Sequence, residues 1–279
     1  MMQNLKLRSF LCKMGFAQLV LVFSLCCNPA FAKTYSFFLV HGALLTHQSW
    51  HAVQESLSQA GYSSTAFNVP GRSEDSTDPA QITLTLAAKR ACEAARSLPQ
   101  DLIWVGHSQG GAIITQSLQF CPERIAALVY VAAVVPLPHE SPFQELTQEE
   151  DWNFSQCATY DPIKKVFVFN PKGPIHEMFM SDLTKDQARK ALSYFVSEPS
   201  EIGAGVLEYP LDSLLTKPKF YLETLQDKII FPKTQKKYQA KTHFQKVYQL
   251  NASHSPFLSQ PKVLGSILTS IADHELQAR

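Results

Sequence analysis

The sequence has little of what marks several large functional classes. Charge excess is missing: 25 basic residues face 24 acidic ones over 279 positions. Three of the basic residues lie ahead of Lys33, so 22 remain from there on and the balance is slightly acidic. A chain of that balance offers no electrostatic footprint for nucleic acid or an anionic membrane. Cysteine is scarce, with six in all and only Cys92, Cys121 and Cys157 after residue 32. An odd count without metal-ligand spacing argues against a disulfide scaffold or a zinc site, although an oxidising compartment would permit one disulfide. Repeats, low-complexity tracts and long linkers are absent too. The one pronounced apolar run, near the N-terminus, is too short to span a bilayer, which takes about 20 apolar residues.

That run belongs to a segment with its own logic. Residues 1–32 carry Lys6, Arg8 and Lys13 and no acid, pass through an apolar stretch from Gly15 to Cys27, and end in Ala30-Phe31-Ala32. A basic start, a short apolar middle and a small-x-small ending describe a secretory signal peptide, which we expect to be cleaved after Ala32. A lipoprotein site at Cys26 or Cys27 is the alternative, but Cys26 would want a small residue before it, where Leu25 stands. The expectation is therefore export to the periplasm or the extracellular space, with no membrane association after cleavage.

The chain from Lys33 onward has 247 residues, ample for one α/β domain with an insertion. Apolar runs rich in β-branched and aromatic residues predict buried parallel strands over 35–40, 64–69, 102–105, 125–132, 219–225 and 245–250. Helical spacing separates them, as in Ile82, Leu86, Ala91, Cys92 and Ala95. Such alternation predicts a mostly parallel sheet with helices on both faces. Ser259-Gln260-Pro261 ahead of Leu264, Ile267, Leu268 and Ile271 reads as a capped final helix. From about Val135 to Glu208 the rhythm breaks, with prolines, Trp152, Phe154 and Tyr160, the run Val166–Asn170, and a capping-box pattern at Thr184-Lys-Asp-Gln187. We read this as a cap inserted beside the carboxyl ends of the strands, where ligands bind.

The strongest chemical signal is Gly106-His107-Ser108-Gln109-Gly110-Gly111, a G-x-S-x-G sequence between an apolar strand and an apolar helix. A sharp strand-to-helix turn holds a serine hydroxyl out above the sheet, and flanking glycines let the turn pass close to its neighbours. Serine needs a base to take its proton. On such a scaffold the acid and the histidine follow the serine in chain order. His254, in the loop after the last strand, fits the base; His243 precedes its strand and His274 lies within the last helix. Asp227, just past strand 219–225, fits the acid that orients the imidazole. Glu223 lies within that strand and Asp212 before it. Oxyanion donors should be the backbone N–H of Gln109 and that of Ala43, with Leu44 the alternative, in the loop after the first strand. His41 and His107 fit the role of braces for these turns.

These residues resemble a known group. His41-Gly-Ala…Trp50, Gly106-His-Ser-Gln-Gly-Gly111, Gln226-Asp227 and Ser253-His254-Ser-Pro-Phe resemble the α/β-hydrolase superfamily. Within it, the likeness is to the plant methylesterases and hydroxynitrile lyases and their bacterial esterase relatives. The resemblance runs from about Tyr35 to Ile271. It implies Ser108, Asp227 and His254 as catalytic triad, Ala43 and Gln109 as oxyanion donors, and residues from about Val135 to Glu208 as cap. The cyanogenic lyases carry a lysine after the catalytic histidine where this chain has Ser255, which points away from lyase activity. Leu45-Thr46-His47 also departs from the small, glycine-containing stretch of the plant enzymes.

The expected function is a secreted serine hydrolase acting through an acyl-enzyme on a small carboxylic ester with an apolar part. No metal or organic cofactor is required. The substrate class follows from the cap's aromatic and methionine content, since small-molecule pockets are mainly apolar. Leu44, Trp152, Phe179 and Phe257 are the expected pocket residues. The alternatives are a hydrolase of lactones, thioesters or amides, a peroxide-dependent relative acting on peracids, and a non-catalytic ligand-binding protein on the same fold.

Overall fold

Runs such as Phe37-Phe38-Leu39-Val40 and Leu128-Val129-Tyr130-Val131 have no polar side to offer water, so they are stable only where both faces are covered. The computed structural model, which describes residues 35–72, 75–98 and 101–276, buries them in this way. The signal peptide expected at residues 1–32 lies outside the described residues. In chain order the elements are β1 (Tyr35–Val40), α1 (His51–Gln59), β2 (Ser64–Phe67), α2 (Leu84–Arg96), β3 (Asp101–His107), α3 (Gly110–Gln116) and β4 (Ile125–Val131). Then come α4 (Gln148–Ser155), β5 (Ala158–Asp161), β6 (Val166–Phe169), α5 (Ile175–Phe179), α6 (Lys185–Ala191), β7 (Glu198–Pro199), α7 (Glu201–Ala204) and α8 (Leu211–Leu215). The chain closes with β8 (Lys219–Thr224), α9 (Pro232–Ala240), β9 (Lys246–Leu250), α10 (Pro256–Ser259) and α11 (Pro261–Ser270).

Six strands form one sheet in the order β2-β1-β3-β4-β8-β9, and every neighbouring pair is parallel. This is the α/β architecture that the strand–helix alternation predicts. Fully buried aromatic side chains at Phe37, Phe38, Trp104, Tyr130 and Tyr221 occupy its centre, each contributing roughly 1.5–3 kcal/mol by leaving water. A disulfide joins Cys92 on α2 to Cys121, just past α3, while Cys157 is a buried free thiol whose pKa burial pushes up to about 12.

Two local expectations are corrected. The second strand stops at Phe67, because its register with β1 ends there, opposite Val40. Ser259 does not cap the final helix: it ends α10, and Gln260 stands at the N-cap of α11 with no side-chain cap bond.

Between β4 and β8 lies the segment read as a cap. It carries five short helices and a three-stranded antiparallel sheet, β5-β6-β7. Thr184 and Gln187 form the capping box at the start of α6, and a second box, Thr147 with Glu150, opens α4. The stretch between α6 and β7 is also stitched to the loop after β1. Thr46 N–H donates to Tyr194 O at 3.1 Å, and Val196 N–H to Leu44 O at 2.8 Å.

Candidate active site

Ser108 follows β3 directly and has φ of +53°, a left-handed conformation that non-glycine residues rarely adopt. Three backbone bonds hold the turn: Ser108 N–H to Val131 O, and Gly111 and Val134 N–H to Ser108 O, at 3.0–3.2 Å. The flanking glycines are explained by close approach. A Cβ on Gly106 would stand 2.7 Å from Gly110 O, and one on Gly110 would stand 2.5 Å from Val40 O.

Two neighbouring strands supply the partners. Asp227 follows β8, and its carboxylate collects five donors. Oδ1 accepts from Ile229 N–H (2.8 Å) and Ile230 N–H (2.9 Å). Oδ2 accepts from Thr224 Oγ1 (2.9 Å), Gln235 Nε2 (3.3 Å) and His254 Nδ1 (2.7 Å). A carboxylate at Nδ1 fixes the proton there and leaves Nε2 as the acceptor. Nε2 of His254 is buried and makes no hydrogen bond with any described residue, Ser108 included. Contacts of this kind are often loose before substrate binds and tighten around it.

His41 and His107 brace the turns. His41 donates from Nδ1 to Gly42 O and accepts Val69 N–H at Nε2 (3.0 Å). His107 donates from Nε2 to His254 O (2.9 Å) and packs its ring 4.6 Å from that of His254. Burial, above all, holds both imidazoles well below the ordinary histidine pKa, so they are neutral supports.

Ser108, Ala43 and Gln109 line one cavity of about 460 Å³, whose walls include Phe143, Phe154, Phe167 and Phe179 from the cap and Ile229 and Ile230 from the sheet side. Among the described residues, neither the Ala43 nor the Gln109 N–H is bonded to an acceptor. The Leu44 N–H, by contrast, is taken by Glu198 Oε2 at 2.8 Å. Among the same residues, no group of three or more His, Cys, Asp or Glu is placed to share a metal ion.

Of the four expected pocket residues, only Phe179 lies on the wall, 5.4 Å from the His254 ring. Trp152 is corrected: it is 64% exposed on the outer side of α4. That helix turns Glu150 inward, where its carboxylate accepts Phe231 N–H and Thr234 Oγ1, so the residue four further on, Phe154, reaches the cavity instead. Phe257 is corrected as well, being buried between Trp50 and His107 beneath the histidine loop. Leu44 sits at φ +62° with its side chain fully buried, away from the cavity.

Sequence reasoning missed Glu198 and Arg72. Glu198 lines the cavity and pairs with Arg72, and both are only 2% exposed. Their separation of 126 residues, between the loop after β2 and the start of β7, follows no spacing rule. Local sequence offers no signal either, since Arg72 precedes the polar run Ser73-Glu74-Asp75 and Glu198 stands between Ser197 and Pro199, close to a second acid, Glu201.

Comparison with known proteins finds hydrolases of similar sequence and fold. The chain is 25% identical to Methylesterase 17 of Arabidopsis thaliana over 261 residues, covering 86% of this chain and 92% of that one. It is 26% identical to the pyrethroid hydrolase of Sphingobium wenxiniae over 250 residues, covering 86% and 89%. Among solved structures, the pyrethroid hydrolase of Sphingobium faniae superposes with a TM-score of 0.78 at 22% identity, covering 88% of this chain and 100% of that one. The model of the alpha/beta hydrolase family matches residues 37–265, and the chain belongs to that family.

Proposed function

We propose that the protein is an exported serine esterase that cleaves small carboxylic esters with an apolar part through an acyl-enzyme. What carries this reading is the relay from Asp227 to His254: a five-donor carboxylate 2.7 Å from Nδ1, and an Nε2 left free. It stands at the carboxyl edge of the same parallel sheet as a serine in a left-handed turn after β3. The relatives named methylesterase and pyrethroid hydrolase support ester cleavage, and the aromatic walls support an apolar substituent.

In this mechanism Ser108 Oγ attacks the ester carbonyl while His254 Nε2 takes its proton. Asp227 stabilises the imidazolium that results. The N–H groups of Ala43 and Gln109 hold the tetrahedral oxyanion. His254 then protonates the leaving alcohol, and the same groups, in reverse roles, deliver water to the acyl-enzyme. The Cys92–Cys121 disulfide supports export, because such bonds persist in oxidising compartments. Periplasmic or extracellular residence therefore belongs to the same proposal.

The test is hydrolysis of p-nitrophenyl esters from acetate to octanoate by the protein from Lys33 on, beside Ser108→Ala and His254→Ala. Turnover should fall on the order of a million-fold in each variant. Wild-type turnover in either variant, or none on any ester from folded protein, would remove the reading.

A further inference from the structure

The buried ion pair beside the cavity has no role in the proton relay, yet it touches both loops that carry the oxyanion donors. Glu198, at the start of β7, accepts the Leu44 N–H on Oε2 (2.8 Å) and the Gln109 side-chain Nε2 on Oε1 (3.0 Å). Leu44 is the residue after Ala43, and Gln109 the residue after Ser108. Arg72, in the loop after β2, donates to the same Oε2 and ties its own loop to the loop after β1, with Nε 3.1 Å from Leu45 O and Nη1 3.0 Å from Pro70 O. Burial pushes the Glu198 carboxyl up, and the guanidinium opposes that push.

Stability is a poor reason for such an arrangement. Replacing a buried ion pair by apolar side chains of similar size is often neutral or stabilising. A geometric reason is better. Two N–H groups on separate loops must converge on one oxygen, and Leu44 is held in a left-handed conformation that persists only where its surroundings over-determine it.

We propose that Glu198, held by Arg72, is the positioning residue of the oxyanion hole. One carboxylate sets the Ala43 N–H through Leu44 and the Gln109 N–H through the Gln109 side chain. The two donors therefore keep a fixed separation. This rests on the esterase reading above.

The experiment measures kcat and KM on p-nitrophenyl butyrate, the affinity of an alkyl boronic acid, and thermal melting. The boronic acid is informative because its adduct with a serine is tetrahedral and anionic. The Arg72→Met/Glu198→Met variant removes the clamp and leaves no unpaired charge. Its kcat should fall about ten- to a hundredfold, a part of what losing one whole donor costs. KM should stay within about twofold, and boronic acid affinity should drop in parallel with kcat. Arg72→Met/Glu198→Gln restores an acceptor for Leu44 N–H and should recover most of kcat. Gln109→Met keeps the ion pair, so it tests the other half of the clamp if the double methionine variant does not fold; a severalfold loss of kcat is expected. Wild-type kcat in folded Arg72→Met/Glu198→Met or in Gln109→Met, or a loss confined to KM, overturns the clamp. A Ser108→Ala variant that still turns over would instead remove the esterase reading itself.

Discussion

The sheet and the segment between β4 and β8 solve different problems with different materials. The central strands of the sheet are largely apolar and buried, and each chemical side chain stands at a strand end under several backbone bonds, as Ser108 and Asp227 do. The intervening segment is made of helices of four to eight residues and a three-stranded antiparallel sheet. It turns apolar side chains both ways, Phe154 and Phe179 toward the cavity and Trp152 and Ile163 toward solvent, the latter 92% exposed. Position is therefore fixed by the sheet, and pocket shape by a region whose elements are too short to be stable alone.

That contrast can be broken experimentally, beginning on the sheet side. The Cys92–Cys121 bond closes a loop of 29 residues, for which chain-entropy arguments give about 3–4 kcal/mol. Cys92→Ala/Cys121→Ala should lose stability of that order in urea unfolding while kcat at 25 °C is unchanged. A fall in kcat without a fall in stability would show that the sheet side does not hold the chemistry rigidly. Acid should expose the same region. His41 and His107 have depressed folded-state pKa values, so below the ordinary value of about 6.5 the unfolded chain takes up protons that the folded one refuses. Their contribution is thus fully present above pH about 6.5 and lost as pH falls toward the folded values. Urea midpoints measured from pH 7.5 to 5 should decline, and less steeply in His107→Gln. The smallest effect is expected from the other region. Phe154→Ala should change kcat/KM about tenfold, the scale of an altered apolar pocket contact, and move the preferred acyl chain toward greater length. A shift in kcat alone, with the chain-length optimum unmoved, would place Phe154 outside the acyl pocket.

The same division governs what could be read from the amino acids. Buried parallel strands announce themselves as unbroken apolar runs, and a serine between two glycine-flanked positions announces a turn. The ends of β1, β3 and β8 therefore lie within two residues of expectation. Trp152 shows where such reading stops. An aromatic residue on a short helix looks like a wall of the pocket, but the direction of α4 is decided by Glu150 satisfying Phe231 N–H and Thr234 Oγ1, two partners far along the chain. Phe257 is likewise aromatic and follows His254 closely in the chain, yet it fills the space under the loop. Glu198 and Arg72 were illegible for a related reason: a partnership across 126 residues leaves no trace in local composition.

The stitching of residues 194–196 to the loop after β1 bears on how this fold could be recombined. The natural seams for exchanging one specificity region for another are the last residue of β4 and the first of β8. A graft cut at those seams would carry away Tyr194 and Val196, which bond Thr46 and Leu44. It would also carry away the acceptor for the Leu44 N–H. The recipient would then present the nucleophile and relay intact beside a loop without its backing. A chimaera that ends its foreign segment before Ser193 keeps that backing native, and it defines the modular unit here as shorter than the insertion.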